Sequence, residues 1–145
     1  MTTSFRLSHL ADSKAQVFAL EDVLKQMPQV EITPEMYYGY KSVARVVRIP
    51  AGTTLTGHIH KHAQVNIAVG DISVTTDTGT RRLTGFNIIE SPAGTKRAGH
   101  AHTDTIWVTI HGSTATDVET LEAEMIAHSE AEFLEFCEQQ RVGSA

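Results

Sequence analysis

The chain has 145 residues, and its 12 lysines and arginines against 17 aspartates and glutamates give a formal net charge of −5. This length predicts a single domain with its own core. The lone cysteine excludes an internal disulfide framework, and the acidic balance is unlike that of a nucleic-acid-binding protein. No apolar run approaches the roughly 20 residues of a membrane span, and Met1–Leu10 has no signal-peptide pattern. We therefore expect a cytoplasmic protein whose partners include neither nucleic acid nor a membrane.

A helix is predicted in the first part of the chain. Ser13–Gln16 has the sequence of a capping box, in which the Ser and Gln side chains satisfy amide groups of the first turn. Apolar residues then recur at helical spacing up to a closing proline: Val17, Leu20, Leu24, Met27 and Pro28. We expect residues 1–36 to form a helical extension ahead of the main domain.

The middle of the chain has the pattern of short strands separated by turns. Each segment is rich in β-branched residues or alternates polar and apolar residues, and Gly and Pro residues separate the segments. Short strands at near-regular spacing indicate an antiparallel sandwich or barrel, which we place at residues 37–112. The predicted strands are Val43–Ile49, Gln64–Val69, Asp71–Thr76, Arg82–Ile89 and Thr105–His111.

Residues 113–145 are predicted to return to helix. Asp117 is placed to cap one helix, and Ser129–Glu132 is a second capping box that begins another. Each helix has apolar residues on one face, so we expect both to pack on the barrel or on a partner subunit. Cys137 falls on such a face and is expected to be a small core residue.

Histidine is the unusual residue type in this composition, because the chain has eight and six of them lie between residues 58 and 111. Residues two apart in a strand point to the same face. His58 and His60 can therefore present two imidazoles to one point inside a barrel. Imidazole is a common ligand of zinc, iron, nickel and copper, so the pair is a candidate for half of a metal site.

The segment around this pair resembles the first sequence motif of the cupin family. That motif has a Gly, five residues, HxH, three or four residues, Glu, six residues and a second Gly. Gly52 and the pair at His58 and His60 have this spacing, Gln64 occupies the glutamate position, and Gly70 follows after five residues. A glutamine oxygen binds a metal more weakly than a carboxylate does.

The second cupin motif has a Gly, five residues, PxG, two residues, His, three residues and Asn. The segment from Gly85 through Pro92–Gly94 resembles its beginning, and Arg97 occupies the histidine position. The chain is also similar to small, uncharacterised cupin-like proteins encoded in bacteriophage and bacterial genomes. The resemblance, over roughly residues 43–111, implies a mainly β, cupin-type double-stranded β-helix (a jelly-roll barrel) with N-terminal and C-terminal helices.

The resemblance implies metal ligation by His58, His60 and Gln64, and two histidines compete for a further position. His100 faces inward if a bulge at Gly99 shifts the alternation of the strand, with His102 as its substitute. Without a bulge, Arg97 points inward and is able to hold an anionic substrate by a bidentate contact. The candidates for substrate binding are Arg97, Asn66, Trp107, His102 and His111.

Two kinds of function are compatible with these residues. The first is a small metal-binding protein that holds iron, nickel, zinc or manganese, and in the family such sites serve dioxygenase, isomerase or lyase chemistry, here on a small polar or anionic molecule. The alternative is a non-enzymatic ligand-binding, sensor or assembly protein with a degenerate metal site. Family resemblance also implies a homodimer in either case.

Overall fold

The computed structural model describes residues 14–76 and 78–143, and within these ranges the chain forms three helices and nine strands. Seven strands belong to one antiparallel sheet, and two short strands form a second pair. In chain order the elements are α1 (Lys14–Leu24), β1 (Glu35–Gly39), β2 (Ser42–Ile49), β3 (Thr54–Thr56), β4 (Ile59–His60), β5 (Gln64–Thr76), β6 (Gly79–Ser91), β7 (Ala98–Ala101), β8 (Thr105–His111), α2 (Val118–Met125), β9 (Ile126–Ala127) and α3 (Glu130–Gly143).

Strand β5 joins the two halves of the sheet. Residues 65–69 pair with β8 and residues 72–74 pair with β7, while β6 runs antiparallel along the whole strand. Between the two parts lies Gly70, whose φ is +141°. A Cβ at Gly70 would lie 2.6 Å from Thr105 Oγ1, so glycine is needed where the strand passes from one half to the other.

The sheet forms a barrel in which most neighbouring strands are distant in sequence. The order is β1-β2-β8-β5-β7-β3, with β6 on the other side of β5. This is the antiparallel jelly-roll barrel between terminal helices that the sequence predicts. The inward faces of the strands form its core, which contains Ile49, Ala68, Ile72, Val74, Leu83 and Ala101.

The strand predictions are correct in position but differ in extent. Thr105–His111 has the predicted bounds, and β2 begins one residue earlier than predicted. The two strands predicted on either side of Gly70 are one continuous strand, because this glycine bends the chain without interrupting the pairing with β6. Strand β6 is longer than predicted at both ends.

The first helix is shorter than predicted. It ends at Leu24 rather than Met27, and Met27 N instead closes a turn by donating to Leu24 O at 3.1 Å. The predicted cap, Ser13, lies outside the described residues. Val17 and Leu20 pack against Ala98 of β7 and dock the helix on the barrel. Within the described ranges, no helix has the length and apolar character needed to cross a membrane.

Helices α2 and α3 begin where the two capping sequences predict. Asp117 accepts a hydrogen bond from Thr120 N at 2.8 Å, and Ser129 Oγ accepts one from Glu132 N at 3.1 Å. The expectation that Cys137 is a core residue is wrong, because Cys137 is exposed on α3. The helix instead places the ring of Phe133 over the backbone of Gly94, where a Cβ would lie 2.5 Å from the ring.

Candidate functional site

A cavity of about 200 Å³ lies inside the barrel. One part of its wall is polar and contains Arg45, His58, His60, Gln64 and Arg97. The remainder is largely apolar, with side chains from β2, β3, β5 and β8. Among the described residues that line the cavity, none is an aspartate or a glutamate. The apolar part of the wall, called the floor below, consists of Val47, Ile49, Leu55, Ile72, Val74 and Trp107.

Two buried polar atoms at the polar end of this cavity lack a hydrogen-bond partner. They are His60 Nδ1, at the end of β4, and Gln64 Oε1, at the start of β5, and both are buried. His58 also lines the cavity and is more exposed than His60. A buried polar atom without a partner costs about 1–3 kcal/mol, so such a pair indicates a place where a ligand or ion completes the contacts.

Three histidines at this end have a lowered pKa, which favours their neutral form. Burial, reinforced by His111 and His58, lowers the pKa of His60 to about 3. Burial and then the charge of Arg45 lower the pKa of His58 and of His111. Neutral imidazole is the form that binds a metal. The nearby guanidinium groups also give this end of the cavity a positive potential, which opposes a cation.

Arg97 faces the cavity and is held from two sides. Its Nη2 donates to Ser91 Oγ at 2.9 Å, and its guanidinium carbon lies 5.8 Å from the centroid of the Trp107 ring. Strand β7 pairs regularly on both edges, with Gly99 opposite Leu55 and Val74. The strand therefore has no bulge. Of the two alternatives left open by the sequence, the structure has the one in which Arg97 points inward.

His100 and His102 lie on the outer face of the sheet, away from His58 and His60. His100 Nδ1 is 2.7 Å from Thr54 Oγ1, and His102 Nε2 is 2.7 Å from Ser73 Oγ. The expectation that a bulge turns His100 inward is wrong because β7 is unbroken. For the same reason His102 does not replace it, and neither is placed to bind a ligand in the cavity.

The remaining predicted site residues have different positions. Trp107 and Asn66 line the cavity, but the Asn66 amide is used within the protein: its Nδ2 donates to Ser91 Oγ at 2.6 Å and its Oδ1 accepts from Thr109 Oγ1 at 3.0 Å. His111 is buried behind His60, with the ring centroids 5.3 Å apart, so it supports His60 and does not form part of the wall.

Sequence reasoning missed Arg45. In β2, residues 43, 45, 47 and 49 share the inward face, and Val43 and Ile49 belong to the core. Arg45 lines the cavity among these apolar neighbours, and its Nη1 lies 3.8 Å from Glu122 Oε1. The signal was present in the alternation of the strand, because a charged residue in phase with buried residues indicates a site.

The residues present fit a weakly held metal ion. His58, His60 and Gln64 offer two imidazoles and an amide oxygen, and the orphaned atoms of His60 and Gln64 are the observation that favours ligation. The set is neutral, and no group of three or more His, Cys, Asp or Glu side chains suited to a metal exists among the described residues. A neutral set beside two arginines holds a divalent ion less firmly than one with a carboxylate.

Comparison with known proteins gives similarities of structure only. No family model matches the chain, and no curated protein matches it. It is similar to KdgF from a Halomonas species, with 19% identity over 57% of this chain and 81% of that one, at a TM-score of 0.48. It is also similar to a cupin superfamily protein from Desulfitobacterium hafniense (11% identity, 61% and 83%, TM-score 0.49). A third similarity is to a protein with a double-stranded β-helix domain from Klebsiella pneumoniae. The identity is 14% over 62% of this chain and 84% of that one, at a TM-score of 0.49.

With identities under 20% and TM-scores under 0.5, these likenesses assign neither a reaction nor a ligand to this chain. The barrel fold is established by the order and register of its own strands. Function therefore has to be argued from the cavity.

Proposed function

We propose that this chain is a small metal-binding cupin that holds a small polar or anionic molecule in its barrel. The observation that supports this is the pair of buried, unpartnered atoms, His60 Nδ1 and Gln64 Oε1, on the wall of one cavity. An ion held by these two side chains and by His58 would satisfy both atoms. Iron, nickel, zinc and manganese are the candidates for such mixed ligation.

The chemistry that a bound ion supplies is that of a Lewis acid with positions open to the ligand. The protein's residues supply the rest of the site. Arg45 and Arg97 place positive charge beside the ligand, and the floor excludes water from its apolar part. A reaction of dioxygenase, isomerase or lyase type is proposed on family resemblance.

The test is a calorimetric titration of chelator-treated protein with Zn²⁺, Ni²⁺, Fe²⁺ or Mn²⁺. We expect one ion per chain, and His58→Ala and His60→Ala each to weaken binding by about tenfold or more. His128→Ala is the matched control, because His128 is exposed at the start of α3. Absence of measurable affinity in the parent protein, or equal affinity in all three variants, would contradict metal binding by these residues.

The second candidate is a ligand-binding or sensor module without a metal. It is favoured by the glutamine at residue 64 and by Arg45 and Arg97 on the cavity wall, whose positive charge would repel a cation. This candidate predicts that small anions raise the melting temperature in the presence of chelator, while the metals above give no binding heat.

A further inference from the structure

We propose that the cavity binds a small monocarboxylate, with its charged group at Arg97 and Arg45 and its apolar body against the floor. The inference rests on the proposed role of the cavity as a small-molecule site. It does not require the metal, because both arginines belong to the chain itself.

The charge of the cavity wall selects an anion. Two arginines line it, whereas none of its described lining residues is acidic, although the chain as a whole has a net charge of −5. Arg45 and Arg97 both line this one cavity, so their guanidinium groups face the same small space. A negative group in the cavity is therefore favoured over a neutral or positive one.

The geometry of Arg97 favours a carboxylate in particular. The hydrogen bond to Ser91 Oγ and the cation–π contact with Trp107 restrain the guanidinium group. The planar guanidinium group has donors spaced to bind both oxygens of a carboxylate. Because the Arg97 side chain is already restrained, little of its freedom is lost when a carboxylate binds. Lysine, with a mobile point charge, would not provide this match.

The floor and the volume define the rest of the ligand. A cavity of about 200 Å³ has room for about seven groups of water size at roughly 30 Å³ each. A carboxylate takes three of these, which leaves about four carbons beside the apolar floor. Pentanoate has this size. Inorganic phosphate has the charge but no apolar part, so it leaves the floor unoccupied.

The first experiment measures binding to full-length, chelator-treated protein by calorimetry. The series is acetate, butanoate, pentanoate and decanoate. Pentanamide is the uncharged control of the same chain length, and inorganic phosphate is an anion without a hydrocarbon chain. We expect affinity to rise by about fourfold for each CH₂ up to pentanoate and to fall for decanoate, which exceeds the cavity. Pentanamide and phosphate should bind at least about tenfold more weakly than pentanoate.

The second experiment uses variants. Arg97→Gln and Arg45→Gln should each weaken pentanoate binding by about tenfold or more. Arg97→Lys should weaken it as well, because lysine keeps the positive charge but cannot make the bidentate contact with a carboxylate. Arg48→Gln is the matched control, since Arg48 lies outside the cavity with its Nε 2.7 Å from Glu35 Oε1. Circular dichroism verifies that each variant is folded. If a glutamine variant does not fold, Arg97→Lys still tests the role of the guanidinium group.

Three outcomes would overturn the inference: equal affinity for pentanamide and pentanoate, unchanged pentanoate binding in the folded arginine variants, or binding only after metal is added. Failure of the metal proposal is a separate result. In that case the chelator-treated protein binds pentanoate through the arginines while the titration of the parent with metals gives no heat.

Discussion

At the scale of single residues, Gln64 is the position at which the proposed metal site lacks a carboxylate. Gln64 and glutamate have the same length, but only glutamate brings a negative charge to the atoms beside His58 and His60. The Gln64 Oε1 atom is buried and lacks a hydrogen-bond partner. The proposed metal site and the proposed anion site therefore predict opposite effects of a negative charge at residue 64.

We predict that Gln64→Glu raises the affinity for Zn²⁺ by about tenfold or more, because a charge-bearing ligand interacts more strongly in a partly buried site. It should also weaken pentanoate binding, since the new charge repels the carboxylate. Competition with a chromophoric chelator measures the first effect. Gln139→Glu, on the exposed surface of α3, is the control, and equal zinc affinity in both variants would contradict the prediction.

The residues of the site were predictable to different degrees. His58 and His60 both line the cavity, but only His60 belongs to a strand, the two-residue β4. The strand alternation used to pair them therefore does not apply to His58, and their ligation of a metal stays a prediction. Arg97 and His100 could not be assigned, because the sequence does not reveal whether β7 has a bulge at Gly99. Arg45 was missed because a single charge in a strand is usually solvated, and only its phase with Val43 and Ile49 indicates burial.

At the scale of elements, α1 is tied to the barrel by a buried lysine. The Lys96 side chain is 5% exposed, forms an ion pair with Glu21 of α1, and donates to Gly57 O at 2.7 Å. Thr56 Oγ1 also donates to Glu21 at 2.7 Å. Burial alone would raise the pKa of Glu21, but the hydrogen bonds from Lys96 and Thr56 outweigh it and lower the pKa.

We predict that Glu21→Gln lowers the free energy of unfolding by about 1–3 kcal/mol at pH 7. Because the folded-state pKa of Glu21 lies below 4.5, its contribution is present above the unfolded pKa and is lost as the pH falls through the folded pKa. Denaturant unfolding at several pH values should therefore show parent and variant converging in acid.

Glu138→Gln serves as the comparison for this prediction. Glu138 pairs with Arg141 on the exposed surface of α3 at 2.8 Å, where such pairs contribute little. A difference between parent and Glu21→Gln that persists unchanged in strong acid, or a Glu138→Gln effect of equal size at pH 7, would contradict the role given to Glu21.

The long elements were predictable from sequence and the short ones were not. Strands β2 and β8 have enough residues to show alternation, and the caps of α2 and α3 are explicit. Strands β3, β4 and β7 have two to four residues each, too few to show a period. These short strands hold or adjoin His58, His60 and Arg97, so the site is built from the elements that sequence patterns describe least well.

At the scale of the whole molecule, one part of the outer face of the sheet, on β5 and β6, is apolar. Phe86 and Ile88 of β6 are 65% and 63% exposed, and Val65 and Val69 of β5 lie beside them. Within the described residues β6 pairs only with β5, so its other edge is open. An apolar face beside an open edge favours association.

We expect a second copy of the chain to cover this face and form a homodimer. Strand β6 has Arg81 and Arg82 near one end and Glu90 near the other, so two copies packed antiparallel bring unlike charges together. Phe86→Asp should convert the dimer to a monomer, as measured by size exclusion with light scattering. Val142→Asp, on α3 and 67% exposed, should leave the mass unchanged; a monomeric parent protein would refute the dimer.

The pairing of β2 with β8 has a consequence for how the protein folds. Val43 lies opposite His111 and Ile49 opposite Thr105. Along the sequence, each pair is therefore separated by more than half the length of the barrel segment, residues 37–112. Loop closure over such distances precedes the gain from pairing, and chains rich in distant contacts fold in milliseconds to seconds rather than microseconds. Arg45 of β2 and Trp107 of β8 come to line one cavity only after this closure, so we expect the cavity to form late in folding.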